Sequence, residues 1–134
     1  MRDEYRNYLQ TAVSMPHSNR SLWDHLLGTW TILKEAGEPE YLCDAGLFHS
    51  VYGTRHYRLQ CVPFERRHEV QELIGLQAEH LVYLFCVIDR PKVLFDKMEI
   101  VINHHTGGFV DISLWASDLM KIERANLEEQ HESH

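Results

Sequence analysis

The sequence predicts a mainly helical domain with one small β-hairpin in its C-terminal third. Apolar residues recur at three- and four-residue spacing through most of the chain, and glycine or proline interrupts them at helix-like lengths. A single β-branched segment, Met98-Glu-Ile-Val-Ile-Asn103, is followed by Gly107-Gly108 and then Phe109-Val-Asp-Ile-Ser113, the pattern of a hairpin around a glycine turn.

Residues 2–14 suit a first helix, with Tyr5, Tyr8, Leu9, Ala12 and Val13 on one side. Pro16 disfavours helix in the residue before it. Ser21 is a reasonable N-cap for a second helix over 22–34, whose core face carries Leu22, Leu26, Trp30 and Leu33. Gly37 stops that helix, and Pro39 suits the first turn of a third, over 40–52, which Gly53 ends. Residues 54–64 read as a loop. Helical stretches over 65–73 and 76–89 flank a break near Gly75, and Pro91 limits the second. Ser113 caps a last helix over about 114–130, with Leu119, Ile122 and Asn126 along one side. The expected core comprises Leu26, Trp30, Leu33, Leu47, Phe48, Leu81, Val82 and Phe85.

With 134 residues, the chain suits one domain, 1–134, with a polar tail from about residue 129 that lacks apolar anchors and is expected to be mobile. The apolar fraction of 44% and charged fraction of 25% are those of a globular protein rather than a disordered one. A formal net charge of −7 argues against nucleic acid as the main partner, because a phosphate backbone calls for a basic surface. It leaves room for a small-molecule substrate, phosphorylated or not, in a local cationic pocket. No apolar run approaches membrane-spanning length, and the N-terminus has no signal-peptide core, so no membrane association is expected. Cys43, Cys61 and Cys86 are odd in number and widely spaced in apolar surroundings, which suits reduced thiols in a cytoplasmic protein.

Three ionisable residues fall where a helix should be dry. His25 shares a face with Leu22, Thr29 and Ile32, His49 with Leu42, Ala45 and Tyr52, and Asp89 with Ala78, Val82 and Phe85. Buried polar groups are normally satisfied. Two arrangements satisfy these three: a hydrogen-bonded core network, or a divalent metal (Zn, Mn, Fe or Ni) held by imidazole nitrogen and carboxylate oxygen. Gly28 and Gly46 lie three residues from His25 and His49, where close helix approach would bring the histidines together; relief of crowding from Trp30 and Phe48 explains them equally well.

These residues carry a resemblance. Asp24-His-Leu-Leu-Gly-Thr29 followed by Ala45-Gly-Leu-Phe-His-Ser50 resembles the core of the HD-domain phosphohydrolases. The stretch from Val70 to Val82 and the pair Asp89-Arg90 are similar to segments of the stringent-response (p)ppGpp hydrolases. The fuller pattern, with His49-Ser-Val-Tyr-Gly-Thr54 and the run from Ile122 to Gln130, resembles an uncharacterised bacterial family of compact HD-like proteins.

The resemblance implies an HD-domain-like helical bundle with His25, His49 and Asp89 as metal ligands. One departure bears on the chemistry: Ser50 stands where HD enzymes carry a ligand aspartate, and His17, on the loop before the second helix, is a candidate replacement.

Three functional classes follow. In the first, a metal-dependent hydrolase of a small phosphoester or nucleotide, Asp89, Arg20 and Arg90 serve the chemistry and Thr29, Tyr52 and Arg58 meet substrate, with guanidinium forks suited to phosphate oxygens. In the second, an iron-dependent oxygenase, two histidines and one carboxylate form the metal triad. The third is a non-catalytic small-molecule-binding or interaction module with a degenerate site, for which Ser50 is the main argument.

Overall fold

The computed structural model describes residues 1–12, 20–53 and 60–132, without the side chains of Arg20, Ser21 and Glu132. Its elements are α1 (Asp3–Ala12), α2 (Arg20–Glu35), α3 (Glu40–Phe48), α4 (Arg67–Val87), α5 (Lys92–Phe95), β1 (Ile100–Ile102), β2 (Phe109–Asp111) and α6 (Ala116–Glu132), with a 3-10 turn at Phe64–Arg66 leading into α4. The fold is mainly helical with a small antiparallel sheet in its C-terminal part, as the periodicity predicts. In the hairpin Ile102 faces Phe109 and Ile100 faces Asp111. No helix among the described residues is long and apolar enough to cross a membrane.

The short apolar helix α3 sits at the centre. It packs between α2 and α4, while α6 crosses α2 and α3. Every residue from Leu42 to Gly53 is buried. Seven of the eight expected core residues are buried; Trp30 is only half-buried and lies against the core's edge. Cys43 and Cys61 are buried free thiols, and Cys86 is half-buried.

Gly46 sets the approach of α2 to α3, because a Cβ there would collide with Leu33 Cδ1. Gly28 does the same for α6: a Cβ would lie 2.6 Å from Glu129 Cγ. Both glycines therefore serve close helix packing beside the histidines.

Several element boundaries differ from the sequence reading. Helix α2 starts at Arg20, so Ser21 lies inside it rather than capping it. The break near Gly75 is where the sequence places it: two helical runs within Arg67–Val87 meet at that residue, whose φ of 88° and ψ of 164° are non-helical and open to glycine. Helix α4 ends at Val87 and Ile88 is extended, so Asp89 lies beyond the helical face assigned to it. The polar run from residue 129 is helical up to Glu132, and its first residue packs inward.

Buried charges on α3 and α4 are paired. Glu79 is fully buried and accepts hydrogen bonds from Tyr52 (2.7 Å), Arg67 (2.6 and 2.8 Å) and Gln71 (3.2 Å). Asp44 accepts one from Tyr5 of α1 at 3.3 Å. These contacts fix α1 and the start of α4 around α3.

Candidate functional site

The meeting point of α2, α3 and α6 holds the site. His25, one turn into α2, and His49, just past the end of α3, face each other with Nε2 atoms 3.2 Å apart and ring planes at 77°. The imidazole of His49 packs edge-on against Phe85 of α4 and is almost completely buried. His25 is 16% exposed and forms the solvent side of the pair.

Donor and acceptor accounting sets the ring of His49. Its Nδ1 lies 2.7 Å from the Gly46 carbonyl, which can only accept, so Nδ1 carries the proton and Nε2 presents its lone pair toward His25. Burial, aided by the neighbouring His25 and the Arg90 guanidinium, pushes the His49 pKa down to about 3, so this ring is neutral at pH 7.

Helix α6 supplies the rest. Glu129 bonds His25 Nδ1, and Asn126 Oδ1 lies 2.8 Å from His25 Nε2. The amide of Asn126 is oriented from behind. Its Nδ2 donates to Glu123 Oε2 at 2.9 Å, and Glu123 in turn accepts from Arg90 at 2.7 and 3.0 Å. Arg90 also stacks over Phe85, with its guanidinium carbon 3.9 Å from the ring centre.

The structure brings together His25 and His49, as the spacing predicts, but not Asp89. That carboxylate is exposed, because the helix has ended before it and its side chain no longer follows the inward face. Arg90 is buried against Glu123, so its guanidinium serves an internal ion pair rather than an anion at the surface.

Thr29 and Tyr52 are buried with partners of their own: Thr29 donates back to the His25 carbonyl at 2.9 Å and Tyr52 to Glu79. Ser50 is buried, and its hydroxyl has no hydrogen-bond partner among the described residues. His17, Arg58 and the side chain of Arg20 lie outside the described residues.

Sequence reasoning missed Glu123 and Glu129, and it read Asn126 as part of an apolar stripe without connecting it to the histidines. A signal was present. An amide four residues after Ile122 and seven after Leu119 is a polar group on a dry face.

Residues 9–90 match the model of a family described as a domain of unknown function (DUF6817). The chain belongs to that family. The segment matched to DUF6817 contains His25, His49 and Arg90, and it stops before the hairpin and α6. The helix bearing Glu123, Asn126 and Glu129 thus lies outside the part of the chain that DUF6817 describes. No curated protein and no solved structure matches the chain.

Among the described residues, no three His, Cys, Asp or Glu side chains form a ready metal-ligand group. The donor chemistry at the histidine pair nevertheless fits a divalent cation. Two nitrogens bound to one zinc at 2.0–2.1 Å are separated by about 2.9–3.4 Å at ordinary ligand angles, and the observed separation is 3.2 Å. Each imidazole also engages its second nitrogen, one with a carboxylate and one with a backbone carbonyl, which is how metal-binding histidines are held.

Proposed function

We propose that this domain binds a divalent metal ion through His25 and His49 and acts as a metal-dependent hydrolase of a small phosphoester or nucleotide. The observation that carries the reading is the convergence of the two Nε2 atoms at 3.2 Å while both Nδ1 atoms are anchored elsewhere. A bound metal would lower the pKa of a water molecule and polarise a phosphoryl oxygen. The chain's own part is preparation. The Gly46 carbonyl fixes the tautomer of His49, and burial keeps that ring neutral and able to ligate. Glu129 holds His25 in position from its solvent side.

Beside Glu129 runs an open groove of about 600 Å³, bordered by Asp24, Glu35, Glu128 and Glu129 with no lysine or arginine in its lining. Such a wall attracts a cation and repels a phosphate. This supports metal entry from that side, and it also favours a second reading: a non-catalytic module that holds a cation and presents it to a partner or small molecule. The substitution of serine at position 50 points the same way.

Elemental analysis of the untagged protein, beside a His49→Ala variant, tests the shared premise. Close to one equivalent of metal in the native chain and its loss in the variant is the expected result. A native chain that neither carries nor takes up metal ends both readings. Release of phosphate from nucleotides by the metal-loaded protein, lost with His49→Ala, separates the hydrolase from the module.

A further inference from the structure

We infer that Asn126 is a third ligand of this metal site, supplied as a neutral amide oxygen by α6 and aimed by the buried Arg90–Glu123 pair. The inference rests on the metal reading proposed above and adds to it a donor that is neither histidine nor carboxylate.

The geometry supports a ligand more strongly than a filler. Asn126 Oδ1 and His49 Nε2 both approach His25 Nε2, at 2.8 and 3.2 Å, so three potential donor atoms gather at one point. Asn126 is 3% exposed. An amide can turn either its oxygen or its NH₂ toward a site, and here the choice is forced. Glu123 is fully buried and accepts only, so it takes the NH₂ at 2.9 Å and leaves Oδ1 facing the imidazoles.

Glu123 is itself fixed by two hydrogen bonds from the Arg90 guanidinium. Arg90 sits beyond the end of α4 and Glu123 on α6, so the pair ties two distant stretches of chain together at the back of the site. Arg90 and Glu123 are positioning residues in this scheme, acting through the Asn126 amide. The arrangement also gives α6 a definite role: it closes a site whose two histidines come from α2 and the end of α3.

Charge fits the assignment. Two neutral imidazoles and one amide leave the cation's charge intact for activating a fourth ligand, whereas a carboxylate at position 126 would neutralise part of it. Imidazole nitrogen suits zinc and iron, and a carbonyl-type oxygen suits manganese, so the mixed donor set is compatible with a first-row divalent cation.

Cobalt(II) titration of the full untagged chain tests the proposal, because its visible absorption reports both affinity and ligand set. The wild-type chain should bind one equivalent, and His49→Ala should abolish binding. Asn126→Ala should weaken binding at least about tenfold and shift the visible band. Asn126→Asp combined with Glu123→Gln keeps a donor facing position 126 and puts a charged oxygen at the site, so it should tighten binding, and it decides the matter if Asn126→Ala fails to fold.

An unchanged affinity and band in Asn126→Ala, or weaker binding in the folded Asn126→Asp/Glu123→Gln double variant, overturns the assignment while the histidine reading stands. A wild-type chain that binds no cobalt overturns both.

Discussion

His25 Nδ1 is bonded by Glu129 from a helix more than one hundred residues further along the chain, and this contact sits directly over Gly28. A carboxylate that grips a ligand histidine raises its basicity and fixes its ring, and losing such a partner typically costs 10–100-fold in metal affinity. Glu129→Gln should therefore weaken metal binding by about tenfold or more, measured by competition with a chromophoric chelator. A change under about threefold would count against Glu129 as the orienting group.

The two packing glycines should behave differently. A methyl at position 46 meets Leu33 Cδ1 in a closed interface between α2 and α3. Overpacking of that kind costs about 1–3 kcal/mol, against a gain of up to about 1 kcal/mol from helix propensity. Gly46→Ala should lower the thermal midpoint. At position 28 the obstacle is the side chain of Glu129, which is 17% exposed and able to swing outward. Gly28→Ala should leave the midpoint nearly unchanged and weaken metal binding as Glu129→Gln does. Equal loss of stability in both variants would contradict this division.

Arg90 and Glu123 form a buried ion pair with side chains 7% and 0% exposed. Removing one member leaves an uncompensated charge, which costs about 3–5 kcal/mol, whereas replacing both by apolar groups of similar volume is often close to neutral. Arg90→Met and Glu123→Leu should each destabilise the fold strongly, and the double variant should recover much of the loss in chemical denaturation. Additive losses in the double variant would show that the two side chains do not act as a pair.

Asp44 gives a pH dependence of defined sign. Burial, with a smaller push from Glu40, raises its pKa from 3.8 to about 6 in the folded state. The folded chain then holds a proton that the unfolded chain releases. This contribution to stability is complete below about pH 4 and is lost as pH rises through about 6. The carboxyl lies beneath a surface groove, where water screens part of the effect, so its size is about 1–2 kcal/mol. Asp44→Asn should gain stability relative to the native chain between pH 4 and pH 7. A constant difference over that range would refute the raised pKa.

The helical class, the hairpin and the two inward histidines are legible in the amino-acid sequence alone. The reason is local: i+3 and i+4 spacing fixes which side chains share a helix face, and a dry face with a histidine on it can be read without knowing what lies opposite. That is why Leu26, Leu47, Phe48 and Val82 are buried as the stripes require, and why His25 and His49 turn inward.

The same rule misled at Asp89, because it holds only while the helix lasts and α4 ends at Val87. The rest of the site depends on how the helices pack. Asn126 and Glu129 reach His25 across separations of 101 and 104 residues, through the crossing of α6 over α2. Arg90 meets Glu123 rather than solvent for the same reason. No spacing within one helix encodes a partner on another. That choice is made by which apolar faces fit together, and here two glycines without side chains let the helices come close enough for the polar groups to meet.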